Sequence, residues 1–374
     1  MKQEMFLSFT TATLAIGIFA FAQPALAGEK EKEANQTYAR QQLAGLSAVP
    51  KFIAAGPPFD ARKVMAGKSI LSIPGPSNDP WYEHVLEGMQ DAAAAVGYDF
   101  SVFRNKGQLS QYRQGLAFAV TAKPTLVDLL AGPDPRVLKT EIDAVKAVGI
   151  KVVVSHDFGM EDVVPNVDYN LGVDYNRAGR LLADWVITKD TRAHVLVLVS
   201  DEIASAEPTK KGISAEFDQY GGRHIQYRFV NVPIAEWESG IKPVVKSAIA
   251  ADPKLTYIIC IYDSMAQFIA PAIAEAKAEG KVKLIGFNGT PLALDLIRAG
   301  KMEMVLGESL AWAGYAIADA EMRILNGEGA VKSMNIPFRI FTKDNAAEAG
   351  VPAGFDKGYG DTFKNEYARL WKLE

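Results

Sequence analysis

The chain has 374 residues, of which 49% are hydrophobic and 22% are charged. This composition excludes a disordered chain and fits a globular protein that is long enough for two domains. The formal net charge of −4 provides no basic field for holding nucleic acid, so we expect no nucleic-acid partner.

The first predicted element is an apolar segment from Met5 to Ala22, which is followed by Gln23-Pro24-Ala25-Leu26-Ala27. A short apolar core that ends in an Ala-x-Ala site is typical of a secretory signal peptide. We expect residues 1–27 to be this signal, although an uncleaved anchor helix is the alternative. A soluble exported chain suits a Gram-negative periplasm, and we expect that localisation.

The single cysteine, Cys260, lies inside an apolar run from Tyr257 to Tyr262. One cysteine excludes an internal disulfide and a thiolate metal cluster, and no cysteine stands at the predicted cleavage site for a lipid anchor. We expect Cys260 to be a small buried hydrophobe.

Residues 28–66 precede the repeating part of the chain. They contain a charged run from Glu29 to Glu33, a predicted short helix over Tyr38–Leu46 and a Pro/Gly-rich link at Gly56-Pro57-Pro58. We interpret them as an N-terminal extension that packs on the outside of the core, and we assign it no function.

From residue 67 onward, apolar runs of strand length alternate with helical patterns. The predicted strands are Ser69–Ile73, Phe100–Phe103, Leu126–Leu130 and Val152–Ser155, and the predicted helices are Trp81–Val96, Ser110–Thr121 and Pro135–Val148. Such alternation predicts right-handed βαβ crossovers and a parallel sheet with helices on both faces.

The pattern then restarts after an extended segment over Asp168–Asp174. The second set has helices Tyr175–Ile187, Glu207–Tyr220, Trp237–Ala251 and Asp263–Ala278, with strands His194–Val199, Ile225–Val230, Tyr257–Ile261, Val282–Phe287 and Met304–Leu306. Further helices are predicted from Pro291 to Ala299 and from about Ala311. Two α/β units of this size are more than one hydrophobic core usually holds, so we predict an α/β protein with two lobes.

The strand over Val282–Phe287 ends in the turn Gly286-Phe287-Asn288-Gly289-Thr290-Pro291. This turn resembles the G-F-[DN]-G-T-P turn of the ribose-binding type of periplasmic sugar-binding proteins, and the resemblance covers about Ser69 to Ile340. It implies the type I periplasmic binding protein fold. In that fold two Rossmann-like lobes are joined by three crossing hinge segments, here near residues 172–176, 308–310 and 337–341.

The resemblance also implies a division of the chain into two discontinuous lobes. Lobe one would comprise residues 67–173 plus 309–336, and lobe two residues 174–308 plus 337–374. The tail from Phe355 to Trp371 is predicted as a helix that carries aromatic residues, and its placement stays open.

Ligands of open α/β sheets bind outside the carboxyl ends of the strands. Polar and aromatic side chains follow the predicted strands at these ends or begin the next helices, and the resemblance implies that they bind the ligand. These residues are Asp79, Trp81, Tyr82, His156, Asp157, Lys211, Trp237, Tyr262, Asp263, Asn288 and Glu308. Aromatic rings cover the apolar face of a sugar, and carboxylates accept hydrogen bonds from its hydroxyls.

Several of these positions depart from the family's pattern. Asp79 and Tyr262 stand where the family has amides, and Glu308 stands where it often has glutamine. His156-Asp157 replaces an Asp-Arg pair, so the fork of an arginine is lost. No third ligand accompanies His156 and Asp157 at metal-binding spacing, and we predict no metal site.

Purely structural roles stay open for part of the set. Asp79 and Asp263 could cap helices, and Trp81 and Trp237 could pack in the core. Lys211 could be a solvated lysine on a helix face.

Acidic residues outnumber basic ones in the set, since Asp79, Asp157, Asp263 and Glu308 stand against Lys211. Such a pocket should reject phosphates and sugar acids, because their buried negative charge would lack a partner. A neutral polyhydroxylated ligand fits, and a cationic ligand stays open.

The sequence lacks the glycine-rich motifs that bind phosphates, and it lacks a G-x-S-x-G nucleophile elbow. We therefore expect no cofactor, no catalytic residues and no enzymatic activity. The resemblance implies a monomeric periplasmic solute-binding protein. It would capture a small neutral monosaccharide or polyol and deliver it to an ABC transporter permease in the inner membrane.

Two other functions stay open at this point. A sensory receptor subunit that binds a signal molecule, such as an autoinducer-like sugar, would use the same fold. A glycoside hydrolase would use paired carboxylates across the cleft. A transcriptional regulator is disfavoured by the export signal and by the absence of a basic helix-turn-helix before Gly67.

Overall fold

The computed structural model describes residues 22–76 and 79–374. Residues 1–21, which hold most of the predicted signal segment, lie outside the described residues, and the signal peptide stays a prediction. In the part of the chain that the structure describes, no helix is both long enough and apolar enough to cross a membrane.

Strands and helices alternate along the described chain. The strands are β1 (Ser69–Ser72), β2 (Asp99–Val102), β3 (Leu126–Leu130), β4 (Lys151–Gly159), β5 (Tyr169–Val173), β6 (His194–Val199), β7 (Gln226–Asn231), β8 (Leu255–Cys260), β9 (Lys283–Asn288), β10 (Met304–Glu308) and β11 (Phe338–Phe341). The helices are α1 (Ala22–Leu43), α2 (Ala61–Met65), α3 (Pro80–Val96), α4 (Leu109–Ala122), α5 (Lys139–Ala147), α6 (Tyr175–Lys189), α7 (Ala206–Tyr220), α8 (Trp237–Ala251), α9 (Ala266–Glu275), α10 (Pro291–Arg298), α11 (Leu310–Leu325) and α12 (Thr362–Leu370). Short 3₁₀ segments over Pro135–Leu138 and Asp263–Met265 form the first turns of two predicted helices.

These strands form two sheets. The first has the order β2-β1-β3-β4-β5 and is parallel throughout. The second has the order β11-β10-β9-β8-β6-β7 and is parallel except for β11, which runs antiparallel to β10. The chain passes between the sheets after β5, after β10 and after α11, so the two-lobe α/β fold class is confirmed. The residue limits proposed for the lobes stay predictions.

Local sequence signals set the position of α3 next to the end of β1. The Asp79 carboxylate accepts a hydrogen bond from the Trp81 amide at 2.9 Å and so caps the helix, while Pro80 occupies the first helical position. The helix ends at Gly97, whose φ of +90° is disfavoured for other residues. Trp81 and Tyr82 therefore lie directly beyond the carboxyl end of β1.

In each lobe, glycines bring two helices into backbone contact. A Cβ on Gly88 of α3 would lie 2.3 Å from the carbonyl oxygen of Ala311 on α11, and one on Gly314 would lie 2.3 Å from that of Val85. In the second lobe, a Cβ on Gly212 of α7 would lie 2.0 Å from the carbonyl oxygen of Asn176 on α6. These contacts fix α11 against α3 and α7 against α6, and residues at the start of α7 lie beside the space between the sheets.

The N-terminal extension touches both lobes. Its helix α1 packs on α6 and α7, with the Tyr38 ring stacked on Tyr220 at a centroid distance of 3.7 Å. The chain then crosses β11, where the Ser47 carbonyl accepts from Nη2 of Arg339 at 2.9 Å. It ends on the first lobe, where Phe52 lies against the ring of Trp312. The extension thus runs from the second lobe to the first.

The C-terminal helix α12 packs on the first lobe, although the sequence-based division assigned its residues to the second. Phe363 stacks on Trp312 at a centroid distance of 4.7 Å, and Trp371 stacks on Tyr315 at 5.7 Å. The Trp371 Nε1–H donates to Asp319 on α11 at 2.7 Å. The aromatic residues of α12 recur at helical spacing and form the face that covers α11.

A carboxyl pair is buried inside the first lobe. Glu321 on α11 is fully buried, and neither of its carboxylate oxygens has a hydrogen-bond partner among the described residues. Asp128 on β3 accepts hydrogen bonds from Ser72 at 3.0 Å and Ser155 at 2.7 Å. Burial, and then the charge of Asp128, raises the pKa of Glu321 well above its usual value. Burial also raises the pKa of Asp128 to about 6.

We expect the stability of Glu321→Gln, relative to that of the wild type, to increase as the pH rises. A carboxyl whose pKa is higher in the folded state contributes stability that is lost as the pH rises from the unfolded-state pKa towards the folded-state one. The amide does not titrate and avoids this loss. The unfolding free energy of the variant, relative to that of the wild type, should therefore rise by about 1 kcal/mol or more between pH 5 and pH 8. Urea unfolding at both pH values measures the difference. The exposed Glu279→Gln serves as control, and a pH-independent difference for Glu321→Gln would contradict the prediction.

Candidate functional site

A cleft of about 1140 Å³ lies between the two lobes and is lined by turns from both sheets. In the first lobe the lining follows β1, β3 and β4, and in the second it follows β6, β7, β8 and β9. All these turns lie at the carboxyl ends of parallel strands, where the sequence predicts the site. Of the predicted residues, the lining includes Asp79, Trp81, Tyr82, His156, Asp157, Trp237, Tyr262 and Asn288.

Aromatic rings form the first-lobe side of the cleft. Trp81 contacts Tyr82 edge to face at a centroid distance of 5.0 Å and His156 at 4.8 Å. Asp79, beside them, is exposed and caps α3, so its structural role and its place in the lining coexist. These rings present apolar surface of the kind that covers the C–H face of a ring ligand.

On the second-lobe side, Trp237 and Tyr262 form a stacked pair with a centroid distance of 6.4 Å. Nε1 of Trp237 donates to Ser200 Oγ at 2.9 Å, and the Tyr262 hydroxyl shares a hydrogen bond with Ser205 at 2.9 Å. Their polar atoms are therefore bonded to the second lobe, which fixes the orientation of both rings.

His156 lies at the floor of the cleft and contacts two of the crossing segments. Its Nδ1 lies 3.1 Å from the hydroxyl of Tyr175, the first residue of α6. Its Nε2 lies 3.4 Å from Glu308 Oε2, at the end of β10, and both residues are almost fully buried. The His156 backbone has a φ of +54°, an unusual conformation that turns the ring towards these partners. Glu308 itself lies behind His156 and does not line the cleft.

The charge facing His156 changes its protonation. Burial lowers the pKa of His156, but the facing Glu308 carboxylate, helped by Asp157, raises it, and the net result is a pKa above the usual value. The imidazolium form fits the geometry, since Nδ1–H can donate to the Tyr175 hydroxyl while that hydroxyl donates to the His156 carbonyl at 3.2 Å.

Asp157 is a carboxyl of the cleft lining whose pKa is strongly shifted. Among the described residues, its carboxylate has neither a hydrogen bond nor an ion pair. Burial raises its pKa to about 7, with His156 lowering it and Asp134 raising it. An acceptor that the protein leaves without a donor is available to a ligand.

Asp263 is buried and holds the turn that carries Asn288. Its two carboxylate oxygens accept from the Thr290 amide at 2.8 Å and from the Thr290 hydroxyl at 2.9 Å. Asn288 has a φ of +121° and lines the cleft. Asp263 therefore positions this turn and does not face the cleft itself.

Lys211 lies outside the cleft, which corrects its assignment to the site. Its side chain is 65% exposed and lies 3.7 Å from Glu207 on the same helix. The next residue, Gly212, faces α6 at backbone contact, and a helix rotates about 100° per residue, so Lys211 is turned to solvent.

The sequence reasoning missed several charged and aromatic residues of the lining. They include Asp134, Arg136, Asp162, Tyr175, Asp201, Glu202 and Glu207. The rule that ligands lie beyond strand ends, applied to the buried strand β3, would have found Asp134 and Arg136. Tyr175 directly follows the predicted crossing segment, which was the available signal for it.

We expect Glu308→Gln to lower the pKa of His156, because burial would then act without the facing negative charge. NMR titration of the imidazole resonances measures this shift. The exposed substitution Glu279→Gln is the control and should leave the His156 titration as it is in the wild type. An unchanged His156 titration in Glu308→Gln would show that Glu308 does not set its protonation.

Comparisons with known proteins agree with this architecture. A sequence model of the periplasmic binding protein domain matches residues 70–329. The D-allose-binding periplasmic protein of Escherichia coli (strain K12) is 24% identical over 252 residues, which make up 63% of this chain and 77% of that protein. The family match leaves out the N-terminal extension and the tail that contains α12.

Solved structures show the same fold at low identity. The periplasmic ribose ABC transporter structure from Conexibacter woesei superposes with a TM-score of 0.66 and 18% identity, covering 79% of this chain and 96% of that one. The Caulobacter myo-inositol binding protein, bound to myo-inositol, superposes with a TM-score of 0.62 and 22% identity. The match covers 77% of this chain and 97% of that one. At these identities the structural likeness establishes the fold alone.

Proposed function

Since the chain belongs to the periplasmic binding protein family, we propose that it captures a small monosaccharide or polyol in the cleft and delivers it to an ABC-type permease in the inner membrane. The observation that carries this proposal is a cleft with aromatic rings on both lobes and unpaired polar groups between them. Trp81 on the first lobe and Trp237 on the second face the same space. We further propose that the protein is exported by a cleaved signal peptide and acts as a monomer.

The chemistry of the lining suits a compact polyhydroxylated ring. Trp81 and the Trp237–Tyr262 pair supply flat apolar surfaces for the two C–H faces of such a ring. Asp157 and Asn288 supply hydrogen-bond groups for its hydroxyls. Nothing in this arrangement requires a bond to be broken, and binding alone accounts for it.

Ligand binding and lobe movement are coupled in this proposal. A ligand that contacts both lobes at once interacts more strongly with a closed arrangement than with an open one, so binding shifts the population towards closure. The crossing segments after β5, β10 and α11 are the places where the backbone would bend. The closed form is then the species that a permease distinguishes from the empty protein.

A thermal-shift screen tests the proposal. The panel contains D-allose, D-ribose and myo-inositol together with other pentoses, hexoses and polyols. At least one of these compounds should raise the melting temperature of the protein by a few degrees at saturation. Trp81→Ala and Asn288→Ala should each abolish this shift while the ligand-free variants melt close to the wild type. Phe118→Ala, an exposed aromatic on α4 outside the cleft, is the control that should keep the shift.

Chemical consumption of the sugar by the purified protein, followed by NMR, would overturn the binding-protein assignment. An unchanged ligand response in both cleft variants would show that the ligand binds elsewhere.

A further inference from the structure

We propose that the ligand carries a protonated amine, so that the cleft prefers an amino sugar or aminated polyol to its neutral counterpart. This inference rests on the function proposed above and adds the charge of the ligand to it. It follows from the charge of the cleft lining and from the isolation of one carboxylate.

The cleft lining is strongly acidic. Its carboxyl-bearing residues are Asp79, Asp134, Asp157, Asp162, Asp201, Glu202 and Glu207, whereas Arg136 is the one lysine or arginine among the described lining residues. The Arg136 guanidinium is already bonded to Asp134, with Nε 2.8 Å from Oδ2. Lys210, outside the lining, pairs with Asp201 at 2.7 Å and Glu207 at 3.2 Å. A net negative charge therefore remains in the cleft after every available ion pair is made.

Asp157 concentrates this charge where a ligand would lie. Asp157 lies in the cleft lining and directly follows His156, whose ring contacts that of Trp81 at a centroid distance of 4.8 Å. Its neighbour His156 is turned away, with Nδ1 on Tyr175 and Nε2 facing Glu308. The His156 imidazolium partly offsets the charge of Asp157 but is itself paired with Glu308, so no described cation forms an ion pair with Asp157.

An ammonium group satisfies Asp157 better than a hydroxyl does. A hydroxyl donates one hydrogen bond and leaves the negative charge of the partly buried Asp157 uncompensated, whereas an ammonium donates a charge-assisted bond and neutralises the charge. The rings of Trp81 and Tyr82 add π surface beside this position, which attracts a cation further. The same charge excludes phosphorylated sugars and sugar acids.

Matched pairs of sugars test the inference by isothermal titration calorimetry. D-glucosamine, D-galactosamine and D-mannosamine are compared with D-glucose, D-galactose and D-mannose, and the N-acetylated forms serve as uncharged amine derivatives. We expect at least one amine to bind at least tenfold more tightly than its neutral partner, and N-acetylation to remove this advantage. The advantage should shrink at high salt, whereas binding of the neutral sugar should not change.

Two variants separate Asp157 from the general charge of the cleft. Asp157→Asn should abolish the tenfold preference for the amine, because the affinity for amines should fall at least tenfold more than the affinity for neutral sugars. Asp201→Asn, a lining carboxylate that is already paired with Lys210, should retain the preference. The wild-type salt dependence gives an independent readout should Asp157→Asn fold poorly.

The outcomes distinguish this inference from the function on which it rests. Neutral sugars that bind as tightly as their amines would overturn the inference and leave the sugar-binding function standing. An amine preference that survives Asp157→Asn would overturn the assigned contact. If neither these sugars nor any compound of the thermal-shift screen binds, the proposed function fails and the inference fails with it.

Discussion

The common direction of the strands is the constraint on which the rest of the structure depends. In each sheet the parallel strands end at one edge, and the two edges meet at the cleft, so every strand-to-helix turn contributes to the same surface. Trp81 after β1, Asp157 at the end of β4 and Asn288 at the end of β9 are far apart in sequence but share this space. The strand β11, which runs antiparallel, carries the contacts of the extension.

His156 connects this surface to the crossing segments. It belongs to β4 of the first lobe, yet its ring bonds Tyr175 and faces Glu308, which lie at two of the places where the chain passes between the lobes. Contacts at a hinge change least when two bodies rotate about it. In the closure proposed here, His156 therefore marks the fixed end of the cleft, while the rings of Trp81 and Trp237 approach each other.

Sequence reasoning succeeded where local signals decide the structure and was incomplete where distant packing does. Apolar runs and helix caps predicted the alternating elements and the turns that carry His156, Asp157 and Asn288. Lys211 was misplaced because its orientation depends on the backbone contact of Gly212 with α6, which no local pattern reveals. The docking of α12 on α11 likewise depends on aromatic contacts between residues about 50 positions apart.

The assembly of the first lobe from distant pieces has a consequence for how the chain acquires its fold. The strands β1 to β5 are synthesised early, but their lobe also needs α11 and then α12, whose Leu370 carbonyl accepts the Phe59 amide at 2.9 Å. Its core cannot be completed until the ribosome has made residue 371. Contacts between residues that are so far apart in the sequence slow folding. In the export proposed above, this late completion would favour passage through a translocation channel before the first lobe has folded.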